Sequence, residues 1–163
     1  MQQSGAVTLV ERLAASDQRP LPLLELPLDA DQRTSLRGHR RSACGRDLVL
    51  QLPRGAALLP GERLLSADGA LQVEVQAAPE PVMEVRSADP LALLQAAYHL
   101  GNRHVAMELH ADRLVLLHDS VLADLLQHRG LQVVRRRAPF APEAGAYAGT
   151  EHHIHSHPHG HAH

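Results

Sequence analysis

Apolar residues in the first half of the chain form short runs separated by proline and glycine. The runs AVTLVERL, LPLLELPL and DLVLQL have the length of β-strands and are bounded by turn-forming residues. In ERLLSADGALQVEVQA, an apolar pair precedes Ser66-Ala67-Asp68-Gly69, and Leu71, Val73 and Val75 then alternate with polar residues. This pattern predicts a β-hairpin with a glycine near its turn. We therefore expect residues 1–79 to form a small all-β lobe.

Two prolines, Pro79 and Pro81, interrupt this pattern within AAPEPV. Proline has no amide hydrogen, so it is not expected inside a central strand or in a helix interior. The stretch therefore predicts a linker between two domains, with the second domain beginning at Val82.

The second half begins with a strand pattern and a helix pattern. VMEVR predicts a strand, and Asp89-Pro90 supplies a helix N-cap followed by a first-turn proline. Leu91, Leu94 and Tyr98 then recur at helical spacing. Gly101 is the expected end of this helix.

Two further strands, a second helix and a last strand complete the second half. AMELH and RLVLLH predict two strands joined by a two-residue turn, Ala111-Asp112. A second helix is expected from Asp119 or Ser120 up to Gly130, and LQVVRR predicts the last strand. The order β-α-β-β-α-β over residues 82–138 predicts a ferredoxin-like domain, in which two helices cover one face of an antiparallel sheet. The chain is therefore expected to be α+β.

Residues 139–163 lose all periodicity and end in EHHIHSHPHGHAH. Such a polar, low-complexity segment cannot bury a core, so we expect it to be disordered without metal. Its histidines alternate with other residues, unlike the unbroken run of an expression tag. Neutral imidazole binds nickel, copper and zinc, and a flexible chain can bring several imidazoles to one ion. The predicted ligands are His152, His153, His155, His157, His159, His161 and His163.

Composition excludes several other functions. The net charge is -2 and every basic residue is Arg, which argues against nucleic-acid partners and removes lysine chemistry. Cys44 is the only cysteine, so no intrachain disulfide or multi-thiolate zinc site can form. We find no signal-peptide pattern at the N-terminus and no run of 18 apolar residues. The protein is therefore expected in the cytoplasm, without a membrane partner and without catalytic residues.

Four more histidines lie within YHLGNRHVAMELHADRLVLLH. If Ala111-Asp112 is a two-residue turn, His110 pairs with Arg113, and the same register places residue 105 opposite His118. His104 and His118 would then start close together. A histidine in a folded domain is about as often hydrogen-bonded or simply exposed as it is a ligand. We assign His99 and His110 to that structural class.

The strings YHLGNRHV and RLVLLHDSVLADLL closely resemble the metal-binding domain of the UreE urease accessory proteins. LPLDADQRTSLRGHRR, LQLPRGAALLPGERL and AAPEPV are similar to the N-terminal peptide-binding domain of the same family. The resemblance implies a nickel metallochaperone that delivers Ni(II) for assembly of the urease active site. It also implies a homodimer and, as partners, apo-urease and the urease accessory complex with its GTPase.

The resemblance assigns particular residues as well. The histidine of GNRH, here His104, would lie at the homodimer interface, where the two copies bind nickel and tail histidines complete the shell. A two-fold axis would double the single fixed imidazole of each chain. Some members carry His-x-His at the position of His118, but Ser120 replaces the second histidine here. His118 is therefore assigned only as a secondary ligand.

Imidazole chemistry does not choose nickel by itself, since Zn(II) and Cu(II) compete for the same ligands. A histidine-rich metal store or buffer without a dedicated acceptor is the alternative function. Stoichiometric transfer of metal to an acceptor distinguishes the two.

Overall fold

The computed structural model describes residues 5–145, which form a mixed α+β structure with two sheets. The seven tail histidines lie outside this range. The elements in chain order are β1 Val7–Leu13, β2 Leu23–Leu28, α1 Ala30–Thr34, β3 Arg37–Arg41, β4 Asp47–Gln51, β5 Arg63–Ser66, β6 Gln72–Ala77, β7 Pro79–Arg86, α2 Pro90–Asn102, β8 Met107–Leu109, β9 Arg113–Leu117, α3 Ser120–His128 and β10 Gln132–Pro139.

The first six strands form one sheet in the order β2-β6-β5-β1-β4-β3. The predicted hairpin is present as β5 and β6, which pair antiparallel, and Gly69 in its turn has a φ of 69°. The strands bury a core composed entirely of leucine and valine. The N-terminal half of the chain is not purely β, because it contains the short helix α1. This helix begins with a capping box formed by Asp29 and Gln32.

Strand β3, with the sequence RGHRR, was not predicted. It pairs antiparallel with β4, so that Gly38 lies opposite Leu50 and Arg40 lies opposite Leu48. Directly opposite residues share a face of the sheet, and Leu48 and Leu50 face the core. The core-facing positions of β3 are thus glycine and arginine, which leaves no apolar alternation to detect.

The prolines at 79 and 81 do not interrupt strand structure, so the expectation of a non-strand linker there is wrong. Strand β7 begins at Pro79, and its first three residues pair with β10. The pairing of β7 with β9 begins only at Val82. The carbonyl oxygen of Pro81 accepts the His118 amide hydrogen at 3.1 Å. The missing Pro81 amide therefore faces the side on which β9 has already ended.

The second sheet has the order β10-β7-β9-β8, with every pairing antiparallel. Its elements follow the predicted order β-α-β-β-α-β. Both helices pack on the same face, because their buried side chains join one core with alternate residues of β7 and β9. That core contains Met83, Val85, Leu93, Ala96, Leu100, Met107, Leu114, Leu116, Ala123, Leu126 and Leu131.

Ordered structure continues beyond the end predicted from the sequence. Strand β10 extends to Pro139, which pairs with Pro79, and Phe140 is 1% exposed. Phe140 packs against Val82 and Val115 on the sheet face that α2 and α3 do not cover. Periodicity could not reveal this, because a single aromatic anchor has no period. Among residues 5–145, no helix is both long and apolar enough to cross a membrane.

Candidate metal centre

His104 lies directly after the first crossover helix. Asp89 caps the start of α2 by accepting the Leu91 amide hydrogen, as predicted. The helix does not end at Gly101 but continues to Asn102. The His104 amide then donates to the Gly101 carbonyl at 3.0 Å, and the Val105 amide donates to the Leu100 carbonyl at 3.1 Å. These two bonds form a Schellman motif with His104 at its C′ position.

The backbone of His104 is in the left-handed region, with a φ of 56°. Within residues 5–145, every other residue with positive φ is a glycine. A side chain in this conformation costs about 1 kcal/mol because Cβ approaches the following carbonyl oxygen. Glycine is the usual residue at C′, so the histidine is not explained by helix termination. The His104 side chain is exposed, and its imidazole is free to face a ligand or another chain.

The turn between β8 and β9 has the predicted register. The His110 amide donates to the Arg113 carbonyl at 3.0 Å, and Met107 lies opposite Leu116. His118 follows β9 and is partly buried. Its Nε2 atom is buried and has no hydrogen-bond partner in the described part of the chain.

Three other histidines make local contacts. His110 Nε2 lies 2.8 Å from Glu108 Oε2, and the ring of His99 meets Tyr98 edge-on with centroids 5.4 Å apart. His128, which the sequence analysis did not assign, has Nδ1 2.9 Å from the Asp124 carbonyl oxygen. Across residues 5–145, no three His, Cys, Asp or Glu side chains are grouped as a metal site.

The solvent side of α2 carries three large apolar side chains, which the sequence did not indicate. The buried residues of this helix are Leu93, Ala96 and Leu100. The three residues that predicted the helix lie on its solvent side instead: Leu91 is 59% exposed, Leu94 68% and Tyr98 67%. Positions i, i+3 and i+7 share one face of a helix, so these side chains form a continuous stripe leading towards His104. We call Leu91, Leu94 and Tyr98 the α2 stripe.

Comparison with known proteins finds the same family in a family model and in individual relatives. The family model for the C-terminal domain of the UreE urease accessory protein matches residues 80–163. A urease accessory protein UreE from Synechococcus sp. (strain CC9311) is 55% identical over 151 residues, covering 91% of this chain and 97% of the relative. The UreE of Parasynechococcus marenigrum is 56% identical over 149 residues, with the same two coverages. The UreE of Thermosynechococcus vestitus is 50% identical over 133 residues, which cover 78% of this chain and 92% of the relative.

These relatives are all accessory proteins, a class that assists the maturation of another protein. The chain belongs to the UreE family of urease accessory proteins. The resemblance drawn from the sequence is thereby confirmed, and the protein acts in urease maturation.

Proposed function

We propose that the protein is a nickel metallochaperone in which His104 from each chain of a homodimer holds Ni(II). The observation that carries this proposal is the left-handed backbone of His104 in a motif that normally ends with glycine. Strained backbone conformations concentrate at functional sites, where the side chain must be held in place. Imidazole is a good ligand for nickel, and an exposed imidazole at a helix end can approach a second copy of itself.

The α2 stripe supports the position of the two-fold axis. An exposed stripe of two leucines and a tyrosine on one helix is the kind of surface that a second copy covers. Tyr98 lies four residues before the end of α2 at Asn102, which is about 6 Å along the helix axis. A two-fold contact centred near Tyr98 would therefore bring the two copies of His104 towards the same axis.

The tail histidines from His152 to His163 are proposed to complete the nickel shell, and His118 is proposed as a secondary ligand. The Nε2 atom of His118 makes no hydrogen bond within the described residues, so no such bond would have to be broken for it to bind metal. Two imidazoles held by the fold and supplemented by those of the tail would give a site that can release its metal, which suits a carrier. A closed shell of four fixed ligands would suit a structural site. Zn(II) and Cu(II) are proposed as competing cargo.

The proposed acceptors are apo-urease and the urease accessory complex with its GTPase, in the cytoplasm. In this role the protein performs no catalysis of its own. We further propose two domains, residues 1–79 and a ferredoxin-like domain at residues 82–138, followed by a linker and tail at residues 139–163. The separate hydrophobic cores of the two sheets support this division.

Metal titration of the purified protein with native mass measurement tests the proposal. We expect a dimer with one tight nickel event per dimer that His104→Gly removes, followed by weaker events on the tail. Incubation of the loaded protein with apo-urease and its accessory proteins should then transfer nickel stoichiometrically. A monomer, or a tight event that survives His104→Gly, would contradict the proposed site. Binding without transfer would favour the metal store.

A further inference from the structure

We propose that the free edge of strand β10 binds an acidic, extended segment of a partner protein, which adds to the four-stranded second sheet as a further strand. Main-chain hydrogen bonds to this edge supply the affinity, and the arginines of β10 select for acidic side chains. The inference goes beyond the proposed function, because it concerns a surface that the metal site does not use.

The two edges of the second sheet differ in length and in cover. Strand β8, at one edge, has three residues, and the chain after β10 returns along it, since the Glu143 amide donates to the Met107 carbonyl at 2.9 Å. Strand β10, at the other edge, has eight residues, of which six are exposed. Within residues 5–145, no strand pairs with its outer side. Unpaired backbone groups along such an edge are a template for another strand.

The backbone groups of β10 point alternately to its two sides, and one contact fixes which residues face outward. The Pro81 carbonyl accepts the His118 amide hydrogen at 3.1 Å, so the backbone groups of Pro81 point towards β9. Pro81 lies opposite Arg137 in the antiparallel pairing of β7 with β10. These two residues are therefore a non-hydrogen-bonded pair, in which the Arg137 amide and carbonyl point away from β7. By the same alternation, Arg135 and Val133 also present their amides and carbonyls at the free edge.

Strand β10 also carries a concentrated positive charge. It contains three consecutive arginines and no acidic residue, in a chain whose net charge is -2. Arg136 is bound through Nη2 to Glu84 Oε1 at 2.9 Å. Arg135 and Arg137 are exposed, and neither forms an ion pair with a carboxylate of residues 5–145. These two side chains leave the same face of the sheet, with their Cα atoms about 7 Å apart.

An acidic strand is the occupant that this edge fits. Carboxylates at alternate positions of an extended segment have the same spacing as Arg135 and Arg137, and opposite charges on neighbouring strands stabilise their pairing. Pairing with a second copy of this chain is disfavoured, because two β10 edges would bring arginines towards arginines. Charge complementarity therefore favours a partner protein with an acidic segment over self-association at this edge.

Peptide titration of the metal-free full chain tests the proposal, by fluorescence anisotropy at about pH 8, where imidazoles are neutral. The probe is a labelled peptide of the length of β10 that alternates glutamate with threonine, and it should bind saturably. Replacing its glutamates by glutamine removes the charge, and methylating its backbone nitrogens removes the main-chain donors. Each change should weaken binding by about tenfold or more. Raising the ionic strength should also weaken binding of the charged peptide.

Two matched double variants locate the binding surface. Arg135→Glu combined with Arg137→Glu should weaken binding of the charged peptide by about tenfold, because two favourable charge pairs become repulsive. Arg37→Glu combined with Arg54→Glu makes the same change of charge at exposed positions in the N-terminal half and should leave the affinity unchanged. Circular dichroism confirms that both variants are folded.

Hydrogen exchange of the unchanged protein gives a second test that needs no variant. Without peptide, the amides of Arg135 and Arg137 should exchange faster than the amide of Arg136, which points towards β7. The charged peptide should slow the exchange of the first two amides, because they become donors to the added strand.

Several results would overturn the inference. One is the absence of saturable binding of the glutamate-threonine peptide up to about 1 mM. Another is equal binding of this peptide by the two double variants. Slow exchange at Arg135 and Arg137 before peptide is added would show that the edge is already covered, by a second copy if the protection rises with protein concentration. Tighter binding of a single-stranded oligonucleotide would assign the arginines to a nucleic acid. All of these measurements omit nickel, so their outcome is separate from that of the proposed metal site.

Discussion

His104 and Gly130 occupy the same position at the ends of the two crossover helices. After α3, the Gly130 amide donates to the Gln127 carbonyl and the Leu131 amide donates to the Leu126 carbonyl, which repeats the bonding found after α2. Gly130 has a φ of 80° and His104 a φ of 56°. After α3 the left-handed position is thus occupied by glycine, which adopts this conformation without strain. At the equivalent position after α2, beside the α2 stripe, it is occupied by a strained histidine.

Replacing His104 by glycine should separate metal binding from folding. Glycine adopts the left-handed conformation without strain, so the free energy of unfolding should be unchanged or rise by up to about 1 kcal/mol, the gain being reduced by the greater freedom of the unfolded chain. The tightest nickel event should disappear. Chemical denaturation and calorimetric nickel titration measure the two effects. A loss of stability together with retained nickel affinity would show that His104 serves packing.

Gly130→Ala is the matched control at the equivalent position. A Cβ built at Gly130 meets nothing within 4 Å, so any cost of the substitution comes from the backbone conformation. The free energy of unfolding should fall by about 1 kcal/mol, while nickel binding stays unchanged. His104→Ala, which keeps the strain and removes the imidazole, should lose the tight nickel event with little change in stability.

The sequence predicted the elements that have a clear period or cap. Asp89 and Asp119 cap α2 and α3 where N-caps were expected, and the register of the β8–β9 turn follows from its two-residue length. The prediction failed where a residue type occupies a position that it rarely takes. Arg40 faces inward on β3, and Pro81 lies in a strand whose neighbour has already ended.

The candidate site was predictable only in part. The family resemblance selected His104, but no local pattern indicated that its backbone would be left-handed. Helical spacing in α2 identified a helix but could not choose its buried face, because Leu91 and Leu94 compete with Leu93 and Leu100. The hydrogen bond from the Ala141 amide to Glu108 Oε1 joins residues that are 33 positions apart in the sequence. Such long-range contacts have no signature in a single sequence.

A charge in the α2 stripe should prevent dimerisation. Leu94 is 68% exposed in the single chain, so Leu94→Glu should leave the fold of the monomer intact. In a dimer that covers the stripe, however, it would bury two unpaired carboxylates. Sedimentation or light scattering should show a shift from dimer to monomer, with loss of the tight nickel event. Val121→Glu adds the same charge at an exposed apolar position on α3, outside the α2 stripe, and should remain dimeric. A dimeric Leu94→Glu protein would place the interface elsewhere.

Removing residues from Glu151 onward should lower the number of metals bound per dimer. The deleted segment contains seven of the thirteen histidines, and the described residues form both hydrophobic cores without it. The dimer and the thermal unfolding temperature should therefore be unchanged. Native mass measurement counts metals and chains together, and calorimetry gives the unfolding temperature. Dissociation of the truncated dimer would show that the tail contributes to the interface.

Nickel affinity should depend steeply on pH if imidazoles hold the metal. Histidine in model peptides has a pKa near 6.5 and must be neutral to donate its lone pair, so protons compete with the metal. Affinity should then fall by more than about tenfold between about pH 7.5 and about pH 5.5, because several ligands are lost together.

Carboxylate ligands would give a flat affinity profile over this pH range. Asp112 accepts a hydrogen bond from Arg86 at 2.6 Å, which lowers the pKa of this carboxyl below its usual value. A depressed pKa keeps Asp112 ionised as the pH falls, so its capacity to bind metal would not change between these two pH values. The measurement is nickel titration at fixed ionic strength, with circular dichroism to confirm that the protein stays folded. A flat affinity profile in the folded protein would exclude an all-histidine site and indicate Asp112, Asp119 or Glu108 as ligands instead.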